Sequence, residues 1–230
     1  MPIFELGDEI DFPPLHFAIE DGLLAYGGNL STERLVYAYQ NGIFPWYSEP
    51  NPILWWSPNP RMVLFPNQLH ISHSLKQTLK KHPFQIRLDT DFEQVITYCG
   101  TVIRNGQSGT WLTPEMKEAY IKLHRLGYAH SVEVYQNEKL VGGLYGIALG
   151  RIFFGESMFA LVPNASKVGF TLFVQYLNQK NYELIDCQVY TEYLDSFGAK
   201  LIEREDYISL LTKALEHPTD KGKWVMNGKP

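Results

Sequence analysis

The stretch from residue 130 to residue 159 constrains this chain more than any other, because it holds three consecutive strand patterns and no space for a helix between them. Residues 130–136, 139–149 and 151–159 are separated only by a turn at Asn137 and another at Gly150. Strands joined by turns this short run antiparallel, so the region predicts a meander. Helical spacing flanks it. Residues 72–81 place Leu75 and Leu79 on one side and Lys76 and Lys80 one turn apart, and residues 92–99 suit a short helix after a strand at 84–88. Thr113-Pro114-Glu115 supplies a cap, an N1 proline and a first-turn acid, and Met116, Ala119, Tyr120 and Leu123 then recur at helical spacing until Gly127. After the meander, Asn164 opens an apolar helix to about residue 178. A buried strand at 184–189, a short helix at 193–197 and a last strand at 200–203 follow.

The first 66 residues read differently. Pro13, Pro14, Gly22, Gly27 and Gly28 break the chain into short pieces around one helix, with Ser31 as its N-cap, Leu35, Ala38 and Tyr39 as its buried stripe and Gly42 as its terminator. These patterns predict an α+β protein with a small α+β N-terminal domain (1–66) before a larger mixed-sheet domain (67–230). The element order of the larger part resembles that of GNAT-type N-acyltransferases, the acyl-CoA-dependent class. Such domains grip the CoA pyrophosphate with a glycine-rich turn into the helix after the meander. Here that junction is Leu161-Val162-Pro163-Asn164-Ala165-Ser166-Lys167, without the glycines, so no CoA is expected.

Two strands carry polarity that their surroundings do not explain. Gly155-Glu156-Ser157-Met158-Phe159 puts a carboxylate after Ile152, Phe153 and Phe154, and Leu184-Ile185-Asp186-Cys187-Gln188-Val189 repeats the situation with Asp186 and Gln188. A buried charge must be paired, reached by solvent or used. Alternation along a strand puts residues 186 and 188 on one face, so those two are expected as neighbours. A structural polar network would account for one such carboxylate; two carboxylates and an amide point to a reaction centre on neighbouring strands. Covalent chemistry is not indicated: Ser157 lacks a nucleophile elbow, and Cys187 sits beside the anionic Asp186.

Net charge is -5, yet residues 50–88 contain no acid and hold Arg61, Lys76, Lys80, Lys81 and Arg87, with His70, His73 and His82 among them. This bias suggests phosphate contact, against the plainer alternative of a solvated lysine face. Trp55, Trp56 and Trp111 flank the basic and glycine-containing segments and suit stacking on an unpaired base. The pair His70 and His73 has no third ligand in pattern, so no metal is expected. Cys99 and Cys187 lack CxxC spacing, the first residues are acidic where an export signal would be basic then apolar, and no apolar run is long enough to span a bilayer. A cytoplasmic protein with reduced thiols is expected.

The segments Asp21-Gly22-Leu23-Leu24-Ala25, Gly42-Ile43-Phe44-Pro45-Trp46, Trp55-Trp56-Ser57-Pro58, Gly109-Thr110-Trp111, Gly155-Glu156-Ser157-Met158-Phe159 and Asp186-Cys187-Gln188 together resemble the leucyl/phenylalanyl-tRNA-protein transferase family. The resemblance implies transfer of leucine or phenylalanine, with methionine as a further donor, from aminoacyl-tRNA to the N-terminal arginine or lysine of a protein, which marks that protein for degradation. It implies a GNAT-like second domain without CoA, cofactor or membrane, and a donor side-chain pocket from Leu144, Phe153, Phe170 and Leu177. It makes the basic helix, with Lys76, Lys80 and Lys81, the contact for the tRNA acceptor stem. It also implies an Asp186/Gln188 relay at the attacking amine. A carboxamide is too weak a base to take that proton, so Gln188 is expected to orient the amine, Asp186 to orient and polarise Gln188, and Glu156 to hold the donor's α-ammonium or a ribose hydroxyl. Two rivals are a CoA-dependent acetyltransferase and a non-catalytic tRNA-binding protein.

Overall fold

The computed structural model describes residues 3–81, 83–101 and 112–226, which leaves the expected site residue Trp111 outside the described residues. A four-stranded sheet comes first. It comprises β1 (Phe4–Leu6), β2 (Leu23–Gly27), β3 (Phe44–Pro45) and β4 (Leu54–Trp56) in the order β1-β2-β4-β3, with α1 (Thr32–Gln40) between β2 and β3. Ser31 caps α1 by accepting from the Arg34 N–H, and Gly42 leaves the helix with φ 72°, a conformation that side chains with a Cβ resist.

The second sheet has seven strands. They are β5 (Arg61–Leu64), β6 (Gln85–Leu88), β7 (Ala129–Gln136), β8 (Lys139–Leu149), β9 (Ile152–Ala160), β10 (Leu184–Gln188) and β11 (Lys200–Ile202), in the order β11-β5-β10-β9-β8-β7-β6. The expected meander is β7-β8-β9, antiparallel throughout. Among the described residues, only β9 and β10 pair in parallel within this sheet. Arg61–Leu64, which the sequence places before a boundary at 66, pairs with β10 and β11, so the passage between sheets falls after Trp56.

Two layers cover the large sheet. Phe154 faces one core, shared with Tyr39 of α1, Val95 of α3 (Phe92–Thr101), Tyr120 of α4 (Pro114–Arg125) and Tyr207 of α7 (Arg204–Leu215). Its neighbour Phe153 faces the other, with Leu75 of α2 (His73–Lys80) and Phe170, Phe173 and Leu177 of α5 (Ala165–Gln179). Adjacent residues serve opposite layers because a strand alternates. The same N-terminal core extends from Trp55 through Tyr39 to Phe154, so the first sheet and the second share apolar contacts. The expected short helix at 193–197 is α6 (Glu192–Asp195), whereas helix α7 was not anticipated from the sequence. No helix among the described residues is long and apolar enough to cross a membrane.

Candidate active site

Strands β9 and β10 pair at Leu184 with Ile152, Ile185 with Phe153 and Asp186 with Phe154, and there the parallel ladder ends. Both strands are irregular at that level. Against β8, Gly146 faces Gly155 and Tyr145 faces Ser157, which leaves Glu156 as the extra residue of a bulge. Gly146 is required at this crossing, since a Cβ there would collide with the Phe154 carbonyl oxygen. Against β5, Asp186 faces Val63 and Gln188 faces Met62, so Cys187 is the extra residue, and Gln188 has φ 64°. Bulges re-aim side chains at the ends of ladders. Here they open a cavity of about 570 Å³ between the strands, with Glu156 and Gln188 on its wall.

Asp186 and Gln188 are neighbours as expected, but not through their side chains. Asp186 is fully buried; its Oδ1 accepts from Arg61 Nε (2.8 Å) and from the Gln188 backbone N–H (2.9 Å), and its Oδ2 from Arg61 Nη2 (2.7 Å) and Tyr207 Oη (2.8 Å). Four donors fill this carboxylate, two of them in a bidentate fork. Arg61 is itself buried, with its guanidinium 4.7 Å from the ring centres of both Phe44 and Tyr207. Burial alone would lower its proton affinity, yet Asp186 drives the net shift upward and keeps it charged. The expected polarisation of the Gln188 carboxamide by Asp186 is therefore corrected: Asp186 fixes the Gln188 backbone and is otherwise occupied by Arg61 and Tyr207.

The carboxamide of Gln188 reaches Glu156 instead. Gln188 Nε2 donates to Glu156 Oε1 (2.9 Å), Tyr39 Oη donates to the same oxygen (2.8 Å) and Tyr120 Oη to Oε2 (2.9 Å). The half-buried Glu156 thus has neutral donors, where Asp186 has a cation. Burial pushes the Glu156 carboxyl up to about 7, the three donors pull it back down, and the charge of Asp186 adds to the rise. Burial first, then Glu156, holds the Tyr39 and Tyr120 phenols well above their ordinary range. Burial pushes the Cys187 thiol strongly upward, with Asp186 adding to it, which leaves no thiolate for covalent chemistry.

The apolar part of the cavity contains three of the four expected donor-pocket residues. Leu144, Phe153 and Phe170 line it; Leu177 does not, being wholly buried two turns further along α5 in the core beneath. At the mouth stands Trp46, 40% exposed, with Trp56 beside it at 5.7 Å and donating Nε1–H to the Trp46 carbonyl. Trp55 is fully buried and donates to the Gly27 carbonyl, so it cannot stack on a base and is withdrawn from the site. Sequence reasoning missed Trp46, Tyr39, Tyr120, Arg61 and Tyr207. An arginine inside an acid-free apolar stretch was the available signal for Arg61; nothing local marked the tyrosines, whose positions read as core. Lys76, Lys80 and Lys81 are all exposed on or just after α2, but the basic stretch is less basic than its count, because Arg61 is spent on Asp186 and Arg87 on Glu138 (2.8 Å).

A carboxylate and a carboxamide where a parallel strand pair ends in the middle of a mixed sheet, sharing a cavity with an apolar recess, fit an enzyme of the acyl-transfer type. The chain belongs to the leucyl/phenylalanyl-tRNA protein transferase family: the model of that family matches residues 63–212, and the model of its N-terminal domain matches residues 28–59. The junction between the two matches coincides with the passage from one sheet to the other. Proteins carrying the name leucyl/phenylalanyl-tRNA–protein transferase are similar over nearly the whole chain. That of Syntrophus aciditrophicus is 54% identical over 97% of this chain and 94% of its own length, and that of Myxococcus xanthus 52% identical over 98% and 97%. Among solved structures, an aminoglycoside acetyltransferase from a soil metagenomic sample aligns at TM-score 0.36 with 16% identity, over 65% of this chain and 97% of its own.

Proposed function

We propose that this chain moves leucine, phenylalanine or methionine from aminoacyl-tRNA to the α-amine of an N-terminal arginine or lysine, creating a degradation signal on the acceptor protein in the cytoplasm. The observation that carries this reading is the cavity itself: an apolar recess of Leu144, Phe153 and Phe170 that shares one cavity with the Glu156–Gln188 pair. An aminoacyl ester is already activated, so the protein has to align an amine with the carbonyl and manage one proton. Gln188 aligns the amine through its carbonyl oxygen, since its amide nitrogen is held by Glu156. Asp186 and Arg61 fix the backbone that presents Gln188. Trp46 and Trp56 offer ring faces at the mouth for the terminal base, and Lys76, Lys80 and Lys81 offer charge to the acceptor stem.

The larger domain reads as a GNAT-like fold that has given up CoA. In support, the approach to α5 runs through Pro163 and a left-handed Asn164 that makes no side-chain cap, in place of a glycine turn. Transfer of labelled leucine and phenylalanine from charged tRNA to peptides differing only in their first residue tests the function. Arg- and Lys-initiated peptides should be labelled and Ala- or Asp-initiated ones should not; labelling without regard to the first residue would overturn it.

A further inference from the structure

We propose that Glu156, backed by Tyr39 and Tyr120, is the group that takes the proton from the attacking amine and hands it to the departing ribose oxygen. This replaces the α-ammonium role expected for Glu156 from sequence, and it rests on the aminoacyl-transfer reading above. Three side chains form a triangle, with Glu156 contributing both carboxyl oxygens: Tyr39 Oη lies 2.6 Å from Tyr120 Oη and 2.8 Å from Glu156 Oε1, and Tyr120 Oη lies 2.9 Å from Glu156 Oε2. Each side of the triangle has room for one proton. With the carboxyl ionised there are two protons, both donated to the carboxylate, and the 2.6 Å tyrosine–tyrosine contact is left without one. A third proton completes the ring: Glu156 donates to one phenol, that phenol to the other, and the second back to the carboxylate. The site therefore receives a proton without moving a heavy atom, which is the preorganisation that proton transfer needs.

The surrounding charges fit this assignment. Facing Glu156 are Tyr39 from α1, Tyr120 from α4 with Tyr145 of β8 at 5.5 Å behind it, and Gln188 and Asp186 from β10, with Arg61 of β5 committed to Asp186. Asp186 is filled by four donors and Gln188 has no basic atom, so Glu156 is the acceptor left on the cavity wall. A carboxyl raised to about 7 is a stronger base than an ordinary one and is still ionised in useful amount near neutrality. The step balances. The neutral amine nitrogen bonds to the ester carbonyl carbon, one N–H proton passes to the Glu156 carboxylate, the carbon–oxygen bond to the ribose breaks, and the same proton goes to the ribose oxygen. Glu156 ends ionised. Tyr39 and Tyr120 are positioning residues.

The test is single-turnover transfer from leucyl-tRNA to an Arg-initiated peptide across pH 5.5–9 (roughly the span that brackets both titrations). Wild type should lose rate with a slope of two below about pH 7, one proton from the substrate amine and one from Glu156. Glu156→Gln should be slower by roughly 100-fold or more with KM for both substrates within about threefold, and should keep only the amine's slope of one. Tyr39→Phe and Tyr120→Phe each remove a donor that favours the ionised carboxyl, so each should move the steeper limb to higher pH; Glu156→Asp, a second check if the glutamine variant misfolds, should displace that limb without abolishing it. Glu156→Gln within threefold of wild type, a loss confined to KM, or tyrosine variants with an unmoved limb would each overturn the assignment. Failure of wild type to label any Arg- or Lys-initiated peptide would instead remove the parent reading, so the two failures are distinct.

Discussion

Asp186 and Glu156 sit on adjoining strands of one sheet, and nearly every physical property separates them. Asp186 is wholly buried, paired with a cation and filled by four donors; Glu156 opens on a cavity, has three neutral donors and is held near 7. The contrast shows how a fold divides labour between two like groups. A carboxylate given a fixed cation becomes part of the frame, because its charge is neutralised in place and its lone pairs are used. One given only neutral donors keeps its proton exchangeable.

The largest expected effect breaks the closed partner. Asp186→Ala leaves the Arg61 guanidinium buried without its counter-charge, and should cost about 3–5 kcal/mol of unfolding free energy in urea denaturation. Arg61→Ala should cost a similar amount, and the double variant clearly less than the sum of the two. A loss under about 1 kcal/mol for Asp186→Ala would show that Asp186 is not structural and would reopen its direct role toward the Gln188 carboxamide.

The same division applies to the apolar residues of the recess. Leu177→Ala should cost about 2–5 kcal/mol in stability and leave the ratio of leucine to phenylalanine transfer unchanged, since Leu177 lies under the cavity floor without lining it. Leu144→Phe should do the reverse, disfavouring the phenylalanyl donor by roughly tenfold relative to leucyl with little loss of stability. A changed donor ratio in Leu177→Ala would put that residue back in the pocket.

The sequence made much of this legible, and its failures have a common cause. The meander, the capped helices and the polar residues in β9 and β10 are all local: Thr113, for instance, caps α4 by accepting from the Met116 N–H three residues on. What could not be read were contacts set by distant elements. Arg61 meets Asp186 across 125 residues and Tyr39 meets Glu156 across 117, and no spacing rule links them. Alternation also misled. It predicted a side-chain pair at 186 and 188, whereas the bulge at Cys187 and the left-handed Gln188 break the period of two in that interval. Trp55 and Trp56 show the same limit, since one dipeptide contains a core ring and a rim ring and only the register of β4 distinguishes them.

A smaller effect sharpens the comparison through stability. Glu156 binds its proton more tightly in the folded chain, at about 7, than in the unfolded chain, where the usual value is 4.5. Folding stability from this group is therefore greatest below the unfolded value and falls as pH rises to 7, after which the cost is constant. Glu156→Gln removes the ionisation and can fill the third side of the triangle with an amide proton. Its unfolding free energy relative to wild type should rise between pH 5 and 7 by on the order of 1 kcal/mol, after allowance for solvent in the cavity, and level off above. A difference independent of pH would mean that Glu156 is not shifted.

The smallest effects lie with the cations, which divide as the carboxylates do. Arg61 and Arg87 are spent on Asp186 and Glu138, while Lys76, Lys80 and Lys81 are exposed on α2 and the turn after it. Only the second group is available to release counterions from a nucleic acid. Each of Lys76→Ala, Lys80→Ala and Lys81→Ala should therefore weaken tRNA binding severalfold and reduce the slope of log affinity against log salt by about one, and the effects should add. Arg87→Ala should leave that slope unchanged, because its guanidinium also lies 4.3 Å over the Tyr135 ring and its charge is matched. Equal slopes for the lysine variants and Arg87→Ala would mean that α2 does not face the tRNA, and would move the phosphate contact elsewhere on the chain.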